Sequence, residues 1–317
     1  VSKVLHPASL ENLPISMGIL KIGPKVFDWG ARTYVMGILN ITPDSFSGDG
    51  LLRSSSPLGE GAGVEDEVLA QAHRFLAAGA DIIDVGGEST RPGAQPVTVD
   101  EELARVLPVI HALALKFPAA ILSIDTYKAA VAEECWKAGA QLVNDVWGLR
   151  ADPAMAAFAA RHNLPVILMH NRSKPSNAQV LEQLGGRYVG IEYQDLVEDV
   201  KAELMESVQL ARAAGIPDDH ILLDPGIGFG KTVEQNLELL NRLDEIRALG
   251  FPVLLGVSRK SFIGYTLDLP PDQRIEGTAA AVSVGITRGA DIVRVHDVEM
   301  MARVARMTDA IVRRKAA

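Results

Sequence analysis

Cysteine is nearly absent: Cys135 is the only one in 317 residues. One chain can therefore form no internal disulfide and no thiolate metal cluster, which agrees with a reducing compartment. Also missing is any basic tract beyond the RRK at 313–315. With 31 basic residues against 40 acidic ones and a formal charge of −9, nucleic acid is not expected as a partner. No apolar run reaches the roughly 18 to 20 residues of a membrane span, and VSKVLHPASLENLPISMGIL has no uninterrupted core of signal-peptide length. These absences predict a soluble, cytoplasmic protein without membrane contact. No Pro/Gly/Ser-rich linker divides the chain, so nothing in the composition calls for two domains.

What is present is apolar: 48% of the residues, enough for a large core. FLAAGADIIDVGGE (75–88), CWKAGAQLVNDV (135–146) and ITRGADIVRVHDV (286–298) share one layout, a helical run stopped by glycine and followed by a short apolar strand. The same strand type recurs at 33–40, 81–88, 121–126, 142–146, 165–170, 221–226, 252–260 and 291–298. Short continuous apolar runs are what parallel strands covered on both faces require. Amphipathic helical patterns lie between them, at 64–78, 101–117, 152–162, 233–249 and 276–289. Eight such units predict a single α/β domain, a (β/α)8 TIM barrel over 33–317, with 1–32 as an N-terminal extension packing on its bottom. A doubly wound open sheet is the alternative.

In a barrel the active site lies where the strands end and the βα loops begin. The strand ends here carry Asn40; Glu88 to Arg91; Asp125; Asn144 and Asp145; Met169 and His170; Asp224; Ser258 to Lys260; Arg294, His296 and Asp297. Any one of these could be a solvated or capping group, Asp125 and Asp145 included. Their convergence on one mouth is harder to attribute to chance. Asp125, Asn144 and Asp224 suit a planar heterocycle bearing amino and ring N–H donors. Arg294 and His296, two apart on a strand, point to one side and suit an anion, while Asn40 offers an oxygen to Mg²⁺. PGIGFGKT (225–232) is not a phosphate loop, because Pro225 stands where its first glycine belongs. No HExxH motif supports a zinc site.

As a set, MGILNITPDSFS (36–47), DVGGESTRPG (84–93), SIDTYK (123–128), NDVWG (144–148), VILMH (166–170), DPGIGFGK (224–231), GVSRKSFIG (256–264), EGTAAA (276–281) and RVHDV (294–298) resemble the dihydropteroate synthase family. The resemblance covers the chain from about 33 onward, except 174–215. It implies Mg²⁺-assisted condensation of dihydropterin pyrophosphate with p-aminobenzoate, pyrophosphate leaving before the amine attacks. It implies that Asp125, Asn144, Asp224 and Lys260 hold the pterin, with Met169 against its face. Asn40, Thr90, Arg294 and His296 would hold the pyrophosphate and its metal, and Phe46, Thr90, Arg91, Pro92 and Ser261 would line the p-aminobenzoate site. Lys260, Arg294, His296 and Asp125 would be the catalytic groups. A homodimer is implied as well, with the helices at 276–289 and 298–315 as interface elements.

The polar loop at 41–50 would then fold over the pyrophosphate and exclude water. There the chain departs from the family: it reads SFSGDG where SFSDGG is usual, which moves the carboxylate from 48 to Asp49. Two other readings stay open at this level. One is a pterin-binding paralogue without turnover; the other is a Schiff-base lyase using Lys260.

Overall fold

Every second residue of an apolar run faces the same side of its strand, and in this chain that alternation decides both core and site. The computed structural model describes residues 18–41, 64–90, 94–181, 183–189 and 191–313. The described residues start on an antiparallel hairpin, β1 (Ile19–Ile22) and β2 (Lys25–Asp28). Alternating units follow: β3 (Tyr34–Asn40), α1 (Val64–Ala77), β4 (Ile82–Gly86), α2 (Val99–Lys116), β5 (Ile121–Asp125), α3 (Ala129–Lys137), β6 (Leu142–Asp145), α4 (Pro153–Arg161) and β7 (Val166–Met169). A second hairpin, β8 (Ala178–Leu181) and β9 (Gly185–Tyr188), precedes α5 (Leu196–Ala214) and β10 (Ile221–Asp224). The rest is α6 (Val233–Asn241), α7 (Leu243–Arg247), β11 (Leu254–Leu255), α8 (Ser261–Leu267), α9 (Ile275–Thr287), β12 (Ile292–Val295) and α10 (Val298–Val312).

Eight strands run parallel in the order β10-β7-β6-β5-β4-β3-β12-β11. The two ends of that order meet through a parallel bridge between Leu223 and Val253, with Leu223 N donating to Pro252 O at 2.9 Å. The sheet is therefore a closed ring of chain-consecutive neighbours, without the order reversal of a doubly wound fold, and the expected (β/α)8 barrel is what forms.

Outward strand residues such as Val35, Ile83, Val85, Leu122, Ile124 and Val143 pack with the helices in one large core. Inward residues form a second, smaller core: Met36, Ile82, Ile121, Leu142, Ile167, Leu222, Leu254 and Ile292 fill the lower barrel. The first hairpin contributes Leu20, Ile22, Phe27 and Trp29 to this inner cluster. Phe27 stacks on Trp29 at 5.5 Å and tilts against Tyr34 at 4.8 Å. Phe27→Ala opens a cavity there and is expected to lower unfolding free energy by about 3–5 kcal/mol. Urea denaturation measures it; a loss under about 1 kcal/mol would show that the hairpin is dispensable to the core.

Local chemistry sets the helix starts. Thr98 and Glu101 form a capping box, so α2 begins two residues before the sequence pattern suggested. Thr232 and Gln235 do the same for α6. The helix expected over 233–249 is broken at Arg242, and the strand expected over 252–260 shrinks to Leu254–Leu255, because Ser258 and Arg259 form a turn. The 174–215 stretch, which no motif covers, holds the β8–β9 hairpin and α5.

Candidate active site

Above the inner apolar layer, the inward positions turn polar. Asp84, Ser123, Asn144, Met169, Asp224 and Arg294 sit one inward step beyond Ile82, Ile121, Leu142, Ile167, Leu222 and Ile292. Asn40 and Asp125 stand a step higher on their strands, and His296 directly follows β12, because the strand expected over 291–298 ends at Val295. Register brings them side by side: Asp125 pairs with both Gly86 and Asn144, and Asp224 with Met169. Arg294 is the hub. Its Nε donates to Asp84 Oδ2 at 2.6 Å and its Nη2 to Asp125 Oδ2 at 2.6 Å, while Asn144 Nδ2 donates to Asp84 Oδ2 at 3.1 Å.

This network leaves acceptors unused. Asp84 Oδ1, Asp125 Oδ1 and Ser123 Oγ are buried and have no hydrogen-bond partner among the described residues. Buried polar atoms in native proteins are almost always satisfied, so a group of orphans on register-paired inward positions of neighbouring strands marks a candidate ligand site. Burial pushes the Asp125 carboxyl up to about 7 against the pull of Arg294. Burial raises Asp224 too, with Lys260 opposing. For Arg294 burial works toward neutrality, but the carboxylates of Asp84 and Asp125 outweigh it and hold the guanidinium charged.

Lys260 does not end a strand. It follows Arg259, which has φ +55°, and stands at the N-cap position of α8, with Ser261 as the first helical residue. Its ammonium donates to the Ile227 carbonyl and lies 4.7 Å from the centre of the Phe229 ring. Burial brings it down to about 8, with Asp224 opposing the fall. An amine so engaged at hydrogen-bonding distance is suited to holding a ligand. His296 closes the ring: its backbone N donates to Ser258 Oγ at 3.1 Å, and its Nδ1 lies 3.0 Å from the same oxygen. Asn40 Oδ1 and the Asp125 side chain both flank Gly86, 3.4 and 3.5 Å from where a Cβ would stand. Thr90 is half-buried beyond β4, on a segment whose Glu88 pairs with Lys128.

Two sequence-level alternatives for single residues resolve differently. Asp125 does not cap a helix at Tyr127, since α3 starts at Ala129 and the carboxylate is spent on Arg294. Asp145 is structural: its oxygens accept from Trp147 N at 2.8 Å and Leu149 N at 2.9 Å, shaping the turn after β6. Phe46, Arg91 and Pro92, together with the Gly48/Asp49 exchange, lie outside the described residues.

The sequence reading passed over three residues. Asp84 and Ser123 are inward but lie below the strand tips, where only the period-2 pattern finds them. Lys231, set aside with the false phosphate loop, is a buried anchor. Its Nζ donates to Gly226 O at 2.9 Å and Phe229 O at 3.1 Å and meets His170 Nδ1 at 2.9 Å. Burial pushes this lysine well below its ordinary value and takes His170 down to about 3, so the imidazole is neutral and accepts. The loop also needs Gly226, whose φ is +69° and whose missing Cβ would run into the His170 carbonyl oxygen. Gly226→Ala is expected to cost about 1–3 kcal/mol from backbone strain alone and to weaken ligand binding, as read by thermal melting and calorimetric titration. An unchanged melting temperature would contradict this.

Among the described residues no cluster of three or more His, Cys, Asp or Glu is placed to hold a metal, and no helix is long and apolar enough to cross a membrane. Comparison with known proteins agrees with the geometry. Residues 36–296 match the family model described as pterin binding enzyme. A dihydropteroate synthase of Clostridium beijerinckii is 49% identical over 296 residues, 93% of this chain and 100% of that protein. A dihydropteroate synthase of Clostridium difficile, crystallised in the presence of pteroic acid, superposes with TM-score 0.79 at 47% identity, covering 91% of this chain and 100% of that one. The Xanthomonas albilineans enzyme with 4-aminobenzoic acid gives 0.80 at 38% identity, covering 94% and 98%.

Proposed function

The chain belongs to the pterin-binding enzyme family, that of the dihydropteroate synthases, and from this premise we infer how its barrel mouth divides the work of that reaction. It condenses 6-hydroxymethyl-7,8-dihydropterin pyrophosphate with p-aminobenzoate to 7,8-dihydropteroate and pyrophosphate, a transferase step of folate biosynthesis. The observation that carries the assignment of the site is the set of orphaned buried acceptors, Asp84 Oδ1, Asp125 Oδ1 and Ser123 Oγ, grouped around Arg294 and Asn144.

The flat pterin carries ring and exocyclic N–H donors. Asp125 and Asp224 accept from them, Asn144 keeps its Oδ1 for one more, and Lys260 donates to an acceptor edge. Met169 packs on the ring face. Arg294 and His296 hold the diphosphate, with Thr90 at its outer side. The bond between the pterin methylene and the diphosphate oxygen breaks with its electron pair leaving on oxygen. Arg294 meets that developing anion from a position already fixed by two carboxylates, so little reorganisation is needed as charge separates. The carboxylates of Asp125 and Asp224 face the positive charge left on the pterin side. The arylamine is neutral at pH 7; its lone pair forms the new C–N bond and its extra proton departs to solvent or diphosphate, so no strong base is required. Ser261 stands on the amine's side of the mouth, at the first position of α8.

Among the described residues, Asn40 fits Mg²⁺ as one oxygen ligand. Asn40 supplies a neutral oxygen, and among the described residues no carboxylate cage surrounds it, the arrangement of an ion carried mostly by water and phosphate oxygens. Asn40 and the substrate diphosphate would hold it, and when bound it would offset the charge of the leaving group. A homodimer is supported by Val284 on α9 and Met300, Met307 and Ile311 on α10, large apolar side chains left exposed on adjacent helices.

The test is a pyrophosphate-release assay with both substrates and Mg²⁺. Release that depends on p-aminobenzoate supports the reading. Tight pterin binding without release would indicate a binding paralogue, and a borohydride-trapped adduct at Lys260 would indicate a lyase.

A further inference from the structure

Arg274 is buried and its guanidinium serves no carboxylate among the described residues. It donates to three carbonyls instead, each on a different segment: Nη1 to Arg259 O at 3.0 Å, Nε to Leu269 O at 3.0 Å and Nη2 to Leu184 O at 2.9 Å. Burying a permanent cation on neutral hydrogen-bond acceptors is costly, and burial does depress its pKa, with Tyr265 and Asp272 opposing. The three acceptors share a location. Arg259 is the residue before Lys260, Leu269 follows α8, and Leu184 lies in the turn of the β8–β9 hairpin. Gly264 in α8 leaves room for the guanidinium, since a Cβ there would collide with it.

One of the segments it joins is strained. Arg259 has φ +55°, an uncommon conformation for a side-chain-bearing residue, and is held by Thr278 Oγ1, which accepts from its N at 3.0 Å, and by a two-bond pair with Asp297. The hairpin reaches the barrel through α8 as well: Tyr265 OH donates to Gly185 O at 3.2 Å, and the Arg187 guanidinium lies 4.7 Å from the centre of the Tyr265 ring. Arg187 has a buried Nε with no partner among the described residues. The hairpin thus stands on the helix that begins at Ser261, the residue after Lys260. The pterin groups Asp125, Asn144 and Asp224 are deeper and are fixed by strand pairing, with no contribution from Arg274, and the Lys260 ammonium is held separately by the Ile227 carbonyl.

We propose that Arg274 is a positioning residue that fastens the β8–β9 hairpin to the Lys260–Ser261 turn, so that the hairpin forms a wall of the p-aminobenzoate side of the site and presents the Arg187 cation toward an arylamine carboxylate. This rests on the reaction assigned above. Such a wall acts on the second substrate, and Arg187 supplies the charge that a benzoate needs.

Steady-state kinetics with each substrate varied in turn tests the proposal, once wild-type protein has released pyrophosphate; if it does not, the assigned reaction fails and not this inference. Arg274→Lys keeps the charge but loses the fork that spans three carbonyls. It is expected to raise KM for p-aminobenzoate about tenfold or more, in line with losing rigid placement of a contacting wall, while KM for the pterin pyrophosphate changes less than about threefold. Tyr265→Ala, at a half-exposed position, removes the hairpin's other tie and is expected to shift the same KM in the same direction. Equal rises in both KM values, or a lowered melting temperature with both KM values unchanged, would assign Arg274 a structural role only and overturn the proposal. If Arg274→Lys does not fold, an unchanged p-aminobenzoate KM in Tyr265→Ala overturns it alone.

Discussion

Arg294→Met lowers kcat for pyrophosphate release about 100- to 1,000-fold, the scale for removing a preorganised donor to a developing anion. The reasoning is geometric. Arg294 is held by two 2.6 Å bonds, to Asp84 from Nε and to Asp125 from Nη2, and its Nη1 makes no bond to a described residue. That nitrogen is free to meet the diphosphate without the side chain moving. The effect falls on kcat because the charge it stabilises grows as the C–O bond breaks. Methionine keeps the apolar volume but leaves Asp84 and Asp125 facing each other without a cation. Their mutual repulsion will favour a protonated carboxyl, so pterin binding weakens as well. A kcat within fivefold of wild type, by coupled pyrophosphate assay, would remove Arg294 from the catalytic role.

Asp84→Ala is the second large effect, and it is on stability as much as on rate. Asp84 is completely buried, and its Oδ2 accepts from both Arg294 and Asn144. Deleting one member of a buried ion pair leaves the other charge uncompensated, at a cost of about 3–5 kcal/mol. Asp125 still pairs with Arg294, which makes the lower part of that range the expected loss in urea denaturation. Asn144 is released by the same change, so activity should fall further than the folded fraction does. Asp84→Asn keeps the shape and an acceptor oxygen, and should retain more stability than the alanine variant while remaining poorly active. Equal stability of Asp84→Ala and wild type would mean that the network does not hold Arg294 in place.

How legible this was in the sequence depended on which regularity carried the residue. The eight apolar runs gave the barrel because parallel strands buried on both faces leave that imprint, and their last residues gave Asp125, Asn144, Asp224, Arg294 and His296. Asp84 and Ser123 were hidden one inward step lower, inside runs read as uniformly apolar. The alternation of Ile82, Asp84 and Gly86 against Ile83 and Val85 contains the signal, since a carboxylate on the inward face of a closed barrel has nowhere to be solvated. Lys260 was assigned to a strand end because the apolar run of 252–257 leads straight into it. The turn at Ser258 and Arg259 has no glycine to announce it, and Arg259 at φ +55° is held by Thr278, Arg274 and Asp297, residues later in the chain. Lys231 could not be read as an anchor from spacing, because positive φ at Gly226, Gly228 and Gly230 folds the loop back on itself. The hairpin at 178–188 falls in a stretch without apolar periodicity and is tied down by long-range partners, Tyr265 and Arg274.

The claim beneath all of this is that inward-facing positions on different strands surround one ligand. A crystal structure with a dihydropterin pyrophosphate analogue tests it most directly. The expected result is a pterin ring inside the barrel mouth, within hydrogen-bonding distance of Asp125, Asn144 and Asp224, with its diphosphate against Arg294 and His296. A ligand seated outside the ring of strands, with those five side chains bonded only to one another, would contradict it.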